Sequence, residues 1–209
     1  MILFVCGTDT GVGKTRVACA LARFYRSRGR SPGVMKPVAT GAARRNGRRF
    51  SMDAVKLMRA AGCAPAEYEK VNPVLYDPPI SPHLAARLAG RPVRVGRLRE
   101  HIYNMERRSG VLVVEGIGGV ATPLTDRVTW ADMMSGVKSA RVILVCSPRV
   151  GTLNHTLLSL EYLSRRNIRC TALVISNHDP SRAADEQNRR ELHRLTGLPV
   201  LTCPRGSTF

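Results

Sequence analysis

The sequence predicts an α/β fold, a single doubly wound, mostly parallel sheet flanked by helices. Three observations predict it. Short apolar runs alternate along the chain with stretches of helical periodicity. The central runs are continuously apolar, as strands buried on both faces are. The first run leads through a glycine-rich turn straight into an amphipathic helix. A length of 209 residues suits one domain with a continuous core, and no repeat or low-complexity linker divides 1–209.

The elements follow in order. Ile2-Leu3-Phe4-Val5-Cys6 reads as a buried strand, and Val17, Ala18, Leu21, Ala22, Phe24 and Tyr25 mark a helix over Thr15–Arg28. Gly33–Met35 is a second strand, closed by Lys36-Pro37, and Met52–Ala61 has helical spacing. Pro65–Pro82 carries Asn72-Pro73, Pro78-Pro79 and Ser81-Pro82 and is expected to be irregular. Helices are then expected over Ser81–Leu88, Val95–Arg108, Leu153–Arg165 and Ala183–Leu195. Strands are expected at Val111–Val114, Val142–Cys146, Thr171–Ile175 and Val200–Leu201.

Composition narrows the class. A 44% hydrophobic content and a mean hydropathy of -0.12 are ordinary for a soluble chain, and no apolar run is long enough to span a bilayer. No basic segment precedes the first apolar run, so no signal peptide is expected. The six cysteines are scattered without a C-x-x-C pair, which suits reduced thiols in a cytoplasmic protein and argues against zinc. The net charge of +18 comes mostly from arginine, with doublets at Arg44-Arg45, Arg48-Arg49, Arg107-Arg108, Arg165-Arg166 and Arg189-Arg190. Two readings fit it: a footprint for a polyanion, or an arginine-rich solvated surface. Aromatics make up only 5% and do not interleave with the arginines, and no helix-turn-helix or zinc-finger pattern occurs. Specific nucleic-acid binding is therefore not expected. Weak, salt-sensitive retention on polyanions is.

The richest segment is Gly7-Thr8-Asp9-Thr10-Gly11-Val12-Gly13-Lys14-Thr15. Strand, glycine-rich turn, Lys-Thr and helix make a phosphate cradle, or P-loop. Backbone N–H groups and the helix N-terminus face anionic oxygens, Lys14 reaches the outer phosphates, and the Thr15 hydroxyl suits Mg²⁺. The first glycine of the usual pattern falls one residue early, at Gly7. Ligands of such sheets bind outside the carboxyl ends of the strands. There Val111–Val114 runs into Glu115 and then Gly116-Ile117-Gly118-Gly119. A carboxylate ending a buried strand needs a partner, and beside a P-loop Mg²⁺ is the natural one. The glycines let backbone amides approach a phosphoryl group.

Lys36 is one of only five lysines and closes the second strand. It is either a functional point charge over the sheet edge or an ordinary strand-end lysine. Asp53 is either a second metal carboxylate or a helix-start residue that favours the dipole. His83 and His155 stand near helix starts and read as structural.

Taken together, these residues resemble the dethiobiotin synthetase family. The resemblance covers nearly the whole chain. It rests on Gly7-Thr8-Asp9-Thr10-x-Val12-Gly13-Lys14-Thr15, Lys36-Pro37-Val38-Ala39-Thr40-Gly41, Asp53-Ala54, Val71-Asn72-Pro73 and Ser81-Pro82-His83-x-Ala85-Ala86. It continues through Val114-Glu115-Gly116-x-Gly118-Gly119, Thr122-Pro123-Leu124 and Gly151-Thr152-Leu153-Asn154-His155, in the family's order.

The resemblance implies a P-loop NTPase fold, Mg²⁺, and conversion of 7,8-diaminopelargonic acid, CO₂ and ATP into dethiobiotin, ADP and phosphate. It implies nucleotide contacts from Gly11, Val12, Gly13, Lys14, Thr15, Arg16, Asp53, Glu115, Gly116, Gly118, Asn177 and Pro204, with Pro204-Arg205-Gly206 in a base-contact loop. Thr15, Asp53 and Glu115 would hold the metal. Lys14 and Lys36 would be catalytic, Lys36 stabilising a carbamate and the transferred phosphoryl group. Thr40 and Gly151-Thr152-Leu153-Asn154 would bind substrate, the latter from the partner subunit of a homodimer. No membrane or specific nucleic-acid partner is expected. The competing class is a partition-type switch ATPase that binds DNA through its basic surface. Such proteins carry a second lysine where this chain has Asp9.

Overall fold

The computed structural model describes residues 1–138 and 140–204. Strand β1 (Ile2–Gly7) sends Ile2, Phe4 and Cys6 into one core and Leu3 and Val5 into another, because successive strand side chains point to opposite faces. It leads to α1 (Lys14–Ser27) and β2 (Gly33–Met35). Next come β3 (Val38–Ala39), the hairpin of β4 (Ala43–Arg45) and β5 (Arg48–Phe50), and α2 (Met52–Ala61). Then α3 (Tyr68–Val71), β6 (Val74–Leu75), α4 (Pro82–Leu88) and α5 (Val95–Arg107) return the chain to β7 (Leu112–Glu115). The rest is α6 (Trp130–Ser135), β8 (Ala140–Cys146), α7 (Thr152–Ser164), β9 (Cys170–His178), α8 (Ala183–Thr196) and β10 (Val200–Pro204).

Among the described residues, six strands form the main sheet in the order β10-β9-β8-β1-β7-β2, and every adjacent pair is parallel. The winding reverses beside β1: β7 and β2 lie on one side of it, β8, β9 and β10 on the other. The loop after β1 therefore opens at the topological switch point, where such sheets bind ligands. On one face Val17, Ala18 and Ala22 of α1 and Leu57 of α2 pack with Leu3, Val5 and Val113. On the other, Ile102, Trp130, Leu163 and Leu192 from α5, α6, α7 and α8 pack with Phe4, Leu112 and Leu144. Phe4 and Trp130 meet edge to face, with centroids 6.0 Å apart. All six cysteines are unpaired, and only Cys63 is not fully buried. Burial pushes the Cys6 thiol up to about 12 and those of Cys19 and Cys170 to about 11.

The predicted strands and helices all occur, Gly33–Met35 and Met52–Ala61 with the bounds expected and the others with ends displaced by at most three residues. The difference is largest where ladder pairing carries polar residues: β9 runs on to His178 and β10 to Pro204. Pro65–Pro82 is not irregular throughout. It holds a short 3₁₀ turn (Pro65–Glu67), α3 and β6, which pairs with β3 over two residues a side, too short for any periodicity to show. The β4–β5 hairpin turns on Asn46 and Gly47, both at positive φ, a strong turn signal flanked here by arginines in place of β-branched residues.

Candidate active site

Pairing of β1 with β7 and β8 fixes where the P-loop starts, and the Thr8 N–H continues the ladder to the Val145 carbonyl at 3.0 Å. The loop reaches α1 through Gly13 at φ 102°, where a Cβ would lie 2.1 Å from Ser176 Oγ, so only glycine fits. Among the described residues, α1 has no side-chain cap and no acid in its first turn. Its first N–H groups are left for an anion. By contrast, α2 is capped by Ser51 Oγ, which accepts the Ala54 N–H at 3.3 Å, and carries Asp53 in its first turn.

Lys14 folds back over the loop and donates to the Asp9 carbonyl at 2.8 Å. Burial, and then the like charge of Lys36, lower its pKa to about 8.

Lys36 is 3% exposed, which removes the reading of it as an ordinary strand-end lysine. Its Nζ lies 2.6 Å from Glu115 Oε1, 3.2 Å from Asp53 Oδ2 and 3.0 Å from the Gly116 carbonyl. Burial opposes its charge, but Glu115 and Asp53 outweigh that and hold it above the usual lysine range. Burial likewise pushes Asp53 up, and the Lys36 ammonium with hydrogen bonds from Lys36 and Thr15 hold it below the usual carboxylate range. Thr15 Oγ1 donates to Glu115 Oε1 at 2.7 Å, while buried Glu115 Oε2 has no hydrogen-bond partner among the described residues. A second cation on that oxygen would satisfy it.

These side chains wall a cleft of about 290 Å³, with Gly11, Gly13, Lys14 and Thr15 on one side and Lys36, Thr40, Asp53, Glu115 and Gly118 facing them. Gly118 holds φ at 59°, and a Cβ there would meet Thr122 Oγ1 at 2.2 Å. Val12 is buried in the core beneath the loop. Gly116 lies at the end of β7, its N–H donating to the Val5 carbonyl at 3.0 Å.

Sequence reasoning gave Asn72 no role, yet it positions Lys36. It is buried, and its Nδ2 donates to the Lys36 carbonyl at 2.7 Å and to the Val74 carbonyl at 3.2 Å. Its Oδ1 accepts from Tyr68 OH at 3.0 Å, and that phenol oxygen accepts the Ser51 N–H at 2.7 Å. The chain of contacts ties the start of α2, and so Asp53, to the end of β2. The Asn72-Pro73 dipeptide was visible as a breaker, but nothing in it shows the partner.

The remaining expected residues lie outside this cleft. Arg16, Asn177 and Pro204 meet one another at the ends of β9 and β10. Gly151, at φ 91°, starts α7, with Thr152 buried, Leu153 half-buried and Asn154 exposed. Arg205 and Gly206 lie outside the described residues. Among the described residues eight arginines are engaged in ion pairs, such as Arg49 with Asp77 at 2.7 Å and Arg189 with Glu186 at 2.7 Å. Arg45, Arg48, Lys56 and Arg59 line a separate groove of about 1230 Å³. Among the described residues no helix is long and apolar enough to cross a membrane, and no group of three or more His, Cys, Asp or Glu side chains converges as a metal site.

Phosphate loop, switch-point cleft and strand-end acid together define a P-loop NTPase. The fold agrees: the cell division ATPase MinD of Pyrococcus furiosus superposes with a TM-score of 0.60 at 19% identity, covering 97% of this chain and 82% of that one. An AAA domain family model matches residues 2–203. The chain belongs to the ATP-dependent dethiobiotin synthetase family. It is 35% identical to the ATP-dependent dethiobiotin synthetase BioD of Aromatoleum aromaticum over 95% of this chain and 87% of that protein. The corresponding protein of Anaeromyxobacter sp. strain K is 38% identical over 93% of this chain and 85% of its own length. That of Bacillus licheniformis is 33% identical over 95% and 83%.

Proposed function

We propose that the chain is an ATP-dependent dethiobiotin synthetase that closes the ureido ring of dethiobiotin from 7,8-diaminopelargonic acid and CO₂. The observation that carries this is Lys36, a buried ammonium clamped by Glu115 and Asp53 across a cleft from the phosphate cradle. A switch ATPase that only hydrolyses nucleotide has no need of a second buried cation there. A cyclase that must hold a carbamate against a phosphoryl group does.

In this reading one substrate amine takes up CO₂ as a carbamate. A carbamate oxygen attacks the γ-phosphorus, ADP leaves, and a carbamic–phosphoric anhydride forms. The second amine then attacks the anhydride carbonyl, expelling phosphate and closing the ring. Lys14, the loop amides from Gly11 to Arg16 and the open start of α1 hold the phosphates. Lys36 neutralises the carbamate and the phosphoryl group in transit. The backbone of Gly116 and Gly118 lines the same space, and the Thr40 hydroxyl binds substrate. Asn177 and Pro204 belong to the base end.

The donor set fits Mg²⁺: the Thr15 hydroxyl, Asp53 and the unpartnered Glu115 oxygen. Two carboxylates without an all-protein cage are what an ion completed by phosphates and water takes. When bound it would neutralise phosphate charge. Gly151-Thr152-Leu153-Asn154 would receive the substrate carboxylate from the partner subunit of a homodimer. Supporting this, α7 starts without a side-chain cap or first-turn acid among the described residues, and Val150, Leu157 and Leu158 beside it are exposed. We take the chain as one domain working in the cytoplasm.

The test is phosphate release from Mg-ATP and bicarbonate, with and without the diamine, with product mass recorded. Diamine-dependent release with dethiobiotin is expected. Hydrolysis indifferent to the diamine and stimulated by DNA would overturn the reading.

A further inference from the structure

At the phosphate end of the nucleotide path, Asp53 and Glu115 already hold a cation, and it belongs to the chain. All three N–H groups of the Lys36 ammonium are spent on oxygens: Glu115 Oε1 at 2.6 Å, the Gly116 carbonyl at 3.0 Å and Asp53 Oδ2 at 3.2 Å. Asn72 Nδ2, donating to the Lys36 carbonyl at 2.7 Å, anchors the backbone behind the ammonium. The oxygens that suit a divalent ion lie around the same point. Thr15 Oγ1 spends its proton on Glu115 Oε1 and keeps its lone pairs, and buried Glu115 Oε2 has no hydrogen-bond partner among the described residues. An ion held by Thr15, Asp53 and Glu115 would share both carboxylates with Lys36.

We propose that Lys36 is a built-in competitor of the divalent ion, which keeps metal out of the cleft until a polyphosphate arrives with it. This rests on the nucleotide reading given above and deepens it. The cleft walls carry Lys14 and Lys36 against Asp53 and Glu115, two charges of each sign. A lone divalent ion would leave two positive charges in excess, where Lys14, Lys36 and Glu115 are buried and screening is weak. The phosphates of a nucleotide bring more negative charge than that, on the opposite wall at the loop amides. An ammonium suits the task because it is a compact point charge, without a second arm to cover Glu115 Oε2. The consequence is order. An ion bound ahead of nucleotide would gather carbamate or phosphate with no phosphoryl donor in place, and Lys36 excludes that complex.

The decisive measurement is Mn²⁺ binding to the full chain without nucleotide at neutral pH, read from the free-ion signal in electron paramagnetic resonance. The chains compared are the wild type, Lys36→Met and Lys36→Gln. Both neutral variants are expected to bind Mn²⁺ at least about tenfold more tightly than the wild type. Adding Asp53→Asn to Lys36→Met should remove the gain, which locates it in this cleft. Thermal unfolding is the second readout, and it serves even where a variant folds poorly with its carboxylates stranded. Mg²⁺ should raise the Tm of the Lys36 variants and leave that of the wild type unmoved. Equal Mn²⁺ affinity in the wild type and both variants overturns the proposal. So does a gain that survives Asp53→Asn, or a Lys36 variant whose Tm Mg²⁺ does not raise. These readouts need neither nucleotide nor turnover. ADP binding and diamine-dependent product formation are followed separately, and failure there rejects the synthetase reading while the Mn²⁺ affinities still judge Lys36.

Discussion

The two ends of the nucleotide path are built in opposite ways. At the β2–β7 end, Lys36 and Glu115 are nearly sealed from solvent and paired at 2.6 Å, with Asn72 fixing the lysine backbone from behind. At the β9–β10 end, Asn177 and Pro204 are exposed and a half-buried Arg16 spans them. Removing one member of the first set strands a charge in the interior, which is strongly destabilising. Arg16 instead bridges exposed groups at the sheet's rim. The difference teaches that the side chains proposed for the chemistry are bound up with the core, whereas the proposed base end lies at the rim of the sheet.

Lys36→Ala should break the comparison most sharply. Product formation should fall by about 10³-fold or more while ADP affinity changes by less than about threefold. Product mass and calorimetry read the two quantities, and a matching loss of ADP affinity would erase the distinction between the ends. Asn72→Ala acts one step back. It leaves the Lys36 and Val74 carbonyls unpaired, and turnover should drop about 10- to 100-fold with a stability loss of about 1–3 kcal/mol in urea unfolding. An unchanged kcat would show that Lys36 needs no backbone anchor.

The pH dependence of ADP affinity comes next. Phosphate binding favours the protonated form of Lys14, whose pKa in the free protein is lowered to about 8. Affinity is therefore full below that pH and falls as pH rises through it, by at most about tenfold per unit, with proton uptake on binding. Titrations from pH 7 to about 9.5 follow this, and a flat profile would mean Lys14 is not on the phosphates.

Mixing Lys36→Ala with Asn154→Ala, both inactive alone, should restore about a quarter of wild-type activity by forming one intact site in each mixed dimer. No recovery after subunit exchange would confine the site to a single chain. The smallest effect concerns the groove of Arg45, Arg48 and Arg59: reversing these charges should weaken retention on heparin in a salt-dependent way and leave kcat unchanged.

Most of the β2–β7 end was legible in the sequence because its signals are local. A glycine-rich turn between strand and helix, an acid closing a buried strand and a lysine before proline each carry their reason in adjacent residues. The parallel, doubly buried character of the sheet followed from continuous apolar runs. What stayed hidden depends on distant partners. Asn72 works through contacts 36 residues away, and Arg16 through contacts 161 and 188 residues away. Short elements were missed for another reason: β3 and β6 are two residues each, and the Arg44–Arg49 pairing hides a hairpin inside what reads as a charge run.

The buried thiols make the molecule its own reporter. Cys6 rests 3.2 Å from Met134 Sδ and accepts the Trp130 indole N–H at 3.4 Å, with Phe4 edge-on to the same ring. Thiolate is the reactive form, so a sulfur held this far toward the neutral state is silent to alkylating reagents until the sheet opens. Half-buried Cys63, past the end of α2, reacts first, and Cys6 only when the central strand is exposed. The order of labelling along the chain would then chart which layer loosens first, without any engineered probe.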